Sequence, residues 1–206
     1  MNGTFGKTTI VYLCYNDEPY KHLERMIDGV IKQENKELLN LLVVYNPGKE
    51  DKRKTIDFIK RKLGEYEDKL PPFEFMPQEQ NLGYVGGNNA AIQRAVELDS
   101  KYIFLHNADG FLAQDCISKL TKQMNEDEKI GASQPLILLY PQSDRINSSG
   151  GVYNFLGFGY CGDYNKPIES IENINKQETG FASGAALMLR ADLIKKYKAL
   201  DKDYFI

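Results

Sequence analysis

The sequence predicts an α/β fold with a mainly parallel central sheet and helices on both of its faces. Short apolar and β-branched runs, beginning with TTIVYLCY at residues 8–15, are typical of strands that are buried on both faces. These runs alternate with longer segments whose apolar residues recur at helical spacing. Because connections of this kind form right-handed crossovers, successive strands are expected to lie parallel.

The first two-thirds of the chain carries the clearest alternation. Strands are predicted at residues 8–15, 38–45, 73–76 and 102–105, with a helix between each pair. The first helix is expected to start at Asp17, as a capping side chain, with Pro19 in its first turn. Asn88 is expected to cap the third helix in the same way.

The alternation weakens after Asp109. A helix is predicted around Ile117 to Met124, and one or two strands around Pro135. Further predictions are a hairpin at 152–160, a polar surface loop at 163–178, a strand at 185–189 and a helix at 191–197. The length favours a single domain at 1–206.

Composition excludes several classes of protein. The net charge of −3 provides no basic field, so no nucleic-acid partner is expected. Three widely spaced cysteines without a CxxC pair indicate neither a zinc site nor a disulfide framework. Without a signal-peptide pattern or an apolar run of about 18 residues, the chain is predicted to be cytoplasmic. Peripheral contact with the inner face of a membrane stays open.

Polar loops follow the four predicted strands. Parallel sheets bind ligands at the carboxyl ends of their strands, so these loops are the candidate site. The loop at 81–89 contains three glycines, which allow the backbone to pass close to a ligand, and the following helix offers free N–H groups to anions. A glycine loop that only ends in an asparagine cap is an equally good interpretation.

Asp109 follows the fourth strand, where a cation bound to a phosphate would need a carboxylate. Magnesium uses one or two protein carboxylates and takes its other ligands from water and phosphates, so Asp109 with the Asn107 amide would be adequate. A simple Asx-type turn is the alternative, and on these residues alone it is favoured. His106, next to this turn, is expected to support the loop rather than touch a phosphate.

Taken together, the motifs resemble the family 2 glycosyltransferases, particularly the rhamnosyltransferase-like branch. The resemblance extends from about Thr8 to Ile206. It is carried by motifs that occur in the family's order: Cys14-Tyr15-Asn16, Val43-Val44-Tyr45-Asn46, Asn81-Leu82-Gly83 with Gly86-Gly87-Asn88-Asn89, Leu105-His106-Asn107-Ala108-Asp109, and Ser183-Gly184-Ala185-Ala186.

The resemblance implies a GT-A fold with a nucleotide-binding half at 1–110 and an incomplete acceptor-side half at 111–206. It also implies a divalent cation (magnesium or manganese) and a dTDP- or UDP-sugar donor. It implies inverting transfer to a glycan or lipid-linked acceptor, in cell-surface polysaccharide synthesis. By position, the donor residues would be Cys14, Tyr15, Asn16, Tyr45, Asn81, Leu82, Gly83, Gly87, Asn107 and Asp109, with Asp109 as the metal ligand. Ser183, Gly184 and Ala185 would border the sugar and the acceptor.

The sequence departs from the family pattern at two places. Tyr45 stands where family members carry an aspartate that helps to read the base. Family members also follow a segment like 200–206 with a Glu-Asp pair that supplies the catalytic base, so the base is expected beyond Ile206 and the domain is expected to be truncated at its C-terminus. These departures leave a non-catalytic nucleotide-sugar or glycan-binding module as the alternative function.

Overall fold

The architecture is a six-stranded sheet covered by helices on both faces. The computed structural model describes residues 7–49, 51–171, 178–197 and 200–201. The strands are β1 (Thr8–Tyr15), β2 (Leu39–Asn46), β3 (Phe73–Pro77), β4 (Tyr102–Asn107), β5 (Ala132–Ser133), β6 (Ile137–Leu138), β7 (Ile146–Ser148), β8 (Gly151–Tyr153), β9 (Gly159–Cys161) and β10 (Ala186–Arg190). The helices are α1 (Glu18–Ile31), α2 (Lys52–Glu65), α3 (Gly83–Glu97), α4 (Cys116–Glu126) and α5 (Ala191–Tyr197), with short 3-10 turns at Lys36–Leu38 and Ile168–Ser170.

The strands of the central sheet follow the order β3-β2-β1-β4-β10-β5. β1, β2, β3 and β4 are parallel, and β10 runs antiparallel to both β4 and β5. The order reverses at β1, which has β2 on one side and β4 on the other. At such a reversal the connecting helices leave to opposite faces and open a crevice beyond the strand ends.

Alternating strand residues build a core on each face of the sheet. On one face Ile10, Tyr12 and Cys14 belong to a cluster that includes residues of α1, α2 and α4. On the other face Val11 packs in a cluster with residues of α3 and α5. Both faces of β1 are therefore covered, which is why the strand is a nearly continuous apolar run. The predicted α/β class and the mainly parallel sheet are confirmed.

The chain after α4 supplies smaller elements. The region around Pro135 forms two very short strands, of which β5 joins the central sheet and β6 pairs with β7. The hairpin predicted at 152–160 is confirmed as the antiparallel pair β8 and β9. The predicted polar loop at 163–178 contains a 3-10 turn at Ile168–Ser170, and its residues 172–177 lie outside the described part of the chain.

Two predicted helix caps are wrong. Asp17 occupies the cap position of α1, but its side chain makes no capping hydrogen bond and pairs with Lys21 at 2.6 Å. Helix α3 begins at Gly83, so Asn88 lies inside it, where its buried side chain donates to the carbonyl of Tyr84 at 3.0 Å. The glycine-rich segment therefore forms the first turns of the helix rather than a loop before it.

Candidate functional site

A pocket of about 340 Å³ lies beyond the carboxyl ends of β1, β2 and β4. This is the crevice that the reversal of strand order predicts. Its walls come from the ends of the three strands, the start of α1 and the start of α3. The lining residues are Leu13, Cys14, Tyr15, Glu18, Asn46, Asn81, Gly83, Tyr84, Asn107, Ala108 and Asp109.

The first turn of α1, directly after β1, brings a carboxylate into the pocket. Glu18, in the first turn of α1, folds back and accepts a 2.6 Å hydrogen bond from the backbone N–H of Tyr15. Burial raises the pKa of the Glu18 carboxyl above its ordinary value and the charge of Asp109 raises it further, while the bond from Tyr15 acts against both. Cys14 is fully buried beneath this turn, and burial raises the pKa of its thiol.

Asn46 joins the end of β2 to the start of α3. Its buried amide donates to the carbonyl of Gly83 at 2.8 Å and accepts from the N–H of Leu82 at 3.4 Å. Gly83 has a φ of +68°, the left-handed region that glycine adopts without strain. The side chain of Asn81 accepts from Gly83 N–H at 2.8 Å, so the sharp entry into α3 is held from both sides.

Gly87 allows α3 to approach the sheet closely. A Cβ on this residue would lie 2.7 Å from Leu13 Cδ1 and 2.9 Å from Asn46 Nδ2. A larger side chain would force the Leu13 methyl group to move and would disturb the Asn46 amide that is hydrogen-bonded to Gly83. Gly87 is buried and does not line the pocket, so the structure gives it a packing role.

The turn after β4 places Asp109 at the solvent side of the pocket. The carbonyl of Asn107 accepts from Gly110 N–H at 3.1 Å, which closes the turn, and Ala108 is buried beneath it. Asp109 is exposed, and no hydrogen bond or ion pair from the described residues engages its carboxylate. The carboxylate is therefore available to a ligand.

His106 lies under the same turn and is buried. Its ring is 6.1 Å from the rings of both Tyr12 and Phe104. Burial lowers the pKa of His106 to about 4, against the opposing effect of Asp109. A neutral imidazole packed between two aromatic rings has the supporting role that its position in the sequence predicts.

The segment before β10 is held against the pocket by Tyr84. The phenol of Tyr84 donates a 2.6 Å hydrogen bond to the carbonyl of Gly184. Ser183 N–H donates to the side chain of Gln134 at 2.7 Å, and Ala185 accepts from Asn107 N–H at 3.1 Å. Ser183, Gly184 and Ala185 thus adjoin the pocket but do not line it.

The pocket is acidic. Its lining contains the carboxylates of Glu18 and Asp109, and no lysine, arginine or histidine belongs to the described lining. No group of three or more His, Cys, Asp or Glu side chains arranged to hold a metal occurs in the described part of the chain. Glu18, Asn107 and Asp109 offer oxygen ligands only, which suits magnesium or manganese when a ligand supplies the remaining oxygens.

The predicted donor residues divide into two groups. Those that line the pocket are Cys14, Tyr15, Asn81, Gly83, Asn107 and Asp109, whereas Asn16, Tyr45, Leu82 and Gly87 do not. Tyr45 is fully buried among the residues packed under α1 and α2, because its side chain points to that face of β2. Leu82 is 38% exposed at the start of α3 and takes part through its backbone N–H.

Five lining residues lie outside the predicted set of site residues. Leu13, Glu18 and Tyr84 have no predicted role, and Asn46 and Ala108 occur only as members of strand-end motifs. Each lies one to three residues from a predicted site residue. Acidic and aromatic residues directly after a buried strand, or inside a glycine-rich helix start, are the signal that could have identified them.

Within the described ranges, no helix combines the length and the apolar character that crossing a bilayer requires.

Solved structures share this fold at low sequence identity. A mannosyltransferase, PcManGT, from Pyrobaculum calidifontis, in complex with GDP-Man and Mn2+, is 15% identical with a TM-score of 0.65, over 96% of this chain and 48% of that one. GalNAc-T7 with UDP, GalNAc and Mn2+ is 15% identical with a TM-score of 0.68, over 95% of this chain and 37% of that one. Staphylococcus aureus TarS 1–349 in complex with UDP-GlcNAc is 13% identical with a TM-score of 0.60, over 92% of this chain and 47% of that one.

The chain thus spans about half, or less, of the length of these structures. No curated protein matches the sequence.

The family model described as "Glycosyl transferase family 2" matches residues 9–198, nearly the whole chain. The sheet order, the helices on both faces and the structural neighbours agree with a GT-A fold. The chain belongs to glycosyl transferase family 2.

Proposed function

We propose that this chain is the donor-binding part of an inverting, metal-dependent glycosyltransferase. The donor is a dTDP- or UDP-sugar, and the acceptor is a glycan or a lipid-linked saccharide. The branch of the family is the rhamnosyltransferase-like one, and the setting is cell-surface polysaccharide synthesis at the cytoplasmic face of the membrane. Family membership and the ordered motifs at the strand ends support this proposal.

The charge of the pocket is the observation that carries the metal requirement. A nucleoside diphosphate is an anion, and it would meet the carboxylates of Glu18 and Asp109 with no basic side chain in the described lining to balance it. These carboxylates would then repel the diphosphate unless a cation accompanied it. Two of the similar solved structures contain Mn2+ together with a nucleotide or nucleotide-sugar.

The residues that would hold the cation are Asp109, with Asn107 and Glu18 as further oxygen donors. A divalent cation bound there supplies Lewis-acid stabilisation of the charge that develops on the leaving diphosphate. Asn46 and Asn81 hold the backbone at Gly83 in the conformation that bounds the pocket. The nucleoside would lie between this turn and Tyr15.

The acceptor would approach from the side of Ser183, Gly184 and Ala185. The Tyr84 phenol holds this segment beside the pocket, and the Gln134 side chain holds its other end. An acceptor hydroxyl that attacks the anomeric carbon opposite the diphosphate would invert the configuration. Its proton needs a carboxylate base, and we assign that role to no residue of the described ranges.

Calorimetric titration with UDP and with dTDP, with and without Mg²⁺ or Mn²⁺, tests the proposal. We expect binding of at least one nucleotide that weakens tenfold or more without the cation, and that is lost in Asp109→Asn. Asp57→Asn is the matched control, because Asp57 is exposed on α2 outside the pocket. Binding that is equally strong without a cation, or unchanged in Asp109→Asn, would contradict the proposal.

Sugar transfer or donor hydrolysis by the protein would exclude the alternative of a non-catalytic binding module.

A further inference from the structure

The hairpin formed by β8 and β9 exposes an apolar tip that the donor pocket does not use. The tip consists of Phe155, Leu156 and Phe158, which are 95%, 65% and 67% exposed. Soluble proteins seldom expose large apolar side chains next to one another, and such a patch commonly marks an interaction surface.

Asn154 pairs three backbone N–H groups of the tip, those of Leu156, Gly157 and Phe158. The side chain of Asn154 accepts from the N–H groups of Leu156 and Phe158 at 2.9 and 3.1 Å. The carbonyl of Asn154 accepts from Gly157 N–H at 2.9 Å, and its N–H donates to Phe158 at 3.0 Å. Internal pairing of this kind lowers the cost of moving a loop out of water, because an unpaired backbone group is strongly unfavourable in an apolar medium.

The base of the hairpin is firmly attached to the domain. Gly151 forms two backbone hydrogen bonds of 2.8 Å with a segment distant in the sequence. Its N–H donates to the carbonyl of Phe181, and its carbonyl accepts from the N–H of Gly180. The ring of Phe181 lies directly against the backbone of Gly151 and Gly159, where any Cβ would collide with it, and 5.2 Å from the ring of Tyr153. The apolar tip is therefore presented on a packed support rather than on a free loop.

The charge of the hairpin indicates what the tip contacts. Residues 146–162 contain no charged side chain. Tyr153, Tyr160 and Tyr164 lie behind the tip and are 55%, 53% and 62% exposed. Phenylalanine and leucine at the end with tyrosines behind them match the order of a bilayer, with hydrocarbon first and the polar headgroup level next.

We propose that the hairpin tip inserts into the interfacial region of a lipid bilayer and holds the domain on the membrane surface. Because the hairpin is uncharged, this binding depends on apolar burial and not on anionic lipids. The inference does not rest on the proposed function, since neither the tip nor its support lines the donor pocket.

Tryptophan fluorescence offers a direct test, since the protein contains no tryptophan. Phe155→Trp places a single reporter at the tip. On addition of phosphatidylcholine vesicles we expect its emission to shift to shorter wavelength, and we expect quenching by lipids brominated near the headgroup. Tyr197→Trp on α5, where Tyr197 is 66% exposed, is the matched control and should not respond.

Co-sedimentation of the wild-type protein with the same vesicles supplies the second measurement. Phe155→Ser with Phe158→Ser should reduce the bound fraction about tenfold or more. Replacing a third of the lipid with phosphatidylglycerol, or raising the salt concentration, should change binding less than twofold. Thermal melting checks that the variant is folded.

Three results would overturn the proposal. The first is an unchanged Phe155→Trp emission together with no co-sedimentation of the wild type. The second is an emission shift that depends on protein concentration without vesicles, which would identify a second copy of the chain as the occupant. The third is binding that requires anionic lipid. Metal-dependent nucleotide binding could persist in each case, so failure here is distinguishable from failure of the donor site.

Discussion

The phenol of Tyr84 donates a 2.6 Å hydrogen bond to the carbonyl oxygen of Gly184, joining two motifs that are 100 residues apart in the sequence. Tyr84 belongs to the first turn of α3 and lines the pocket, whereas Gly184 belongs to the segment that leads into β10. The bond places the predicted acceptor side against the predicted donor side.

Tyr84→Phe should lower the free energy of unfolding by about 1 kcal/mol, because it leaves a partly buried carbonyl without its donor. Urea denaturation measures this change. Tyr197→Phe, at an exposed phenol, is the control and should be neutral. Nucleotide affinity should fall by less than about threefold, since the ring stays in place. Unchanged stability would show that the bond contributes nothing.

Gly87→Ala should destabilise the protein by about 1–3 kcal/mol, because the new methyl group would collide with Leu13 and Asn46. The gain in helix propensity, up to about 1 kcal/mol, offsets only part of this cost. Gly64→Ala in α2 is the matched control. A Cβ there meets nothing within 4 Å, so the control should be neutral or slightly stabilising. Equal effects in urea denaturation would contradict the packing role of Gly87.

His106 should make the protein less stable as the solution becomes acidic. Its pKa is about 4 in the folded state and about 6.5 in the unfolded chain, so the unfolded state binds more protons between these values. The free energy of unfolding should fall by about 1.5 kcal/mol from pH 6.5 to pH 5 on this account.

Urea denaturation across pH 5–7.5 isolates this contribution by comparison with His106→Phe, which should lose the dependence. His22→Gln on α1 serves as the control, and its pH profile should match the wild type. If His106→Phe retained the full slope, other groups would have to account for it.

Glu18→Gln should reduce the metal dependence of nucleotide binding. The amide oxygen still accepts from Tyr15 N–H, but the negative charge next to the diphosphate is removed. Affinity without Mg²⁺ should therefore rise and affinity with Mg²⁺ should fall, each by a few-fold. Glu37→Gln, an exposed change outside the pocket, is the control for the calorimetric titrations. A parallel change with and without Mg²⁺ would contradict an electrostatic role for Glu18.

Most of the fold was predictable because its elements are strongly periodic. The buried run at residues 8–15 and the apolar positions of α1 depend on local spacing alone, and both elements occur where the pattern indicates. The caps were less predictable. Asp17 stands at the cap position of α1 but its side chain pairs with Lys21 instead of capping. Asn88 cannot cap α3, because the helix already begins at Gly83.

The strand–helix alternation, the uncharged hairpin and the polar residues after each strand are all visible in the amino-acid sequence. Periodicity and composition are properties of neighbouring residues, so they can be read along the chain. Which of those residues share the pocket depends on how the elements pack in three dimensions. Tyr45 and Asn46 are adjacent, yet one is buried in the core and the other lines the pocket, because successive side chains of a strand point to opposite faces. Glu18 reaches the pocket through the bend between β1 and α1, and Tyr84 meets Gly184 only after α3 and the segment before β10 have packed together.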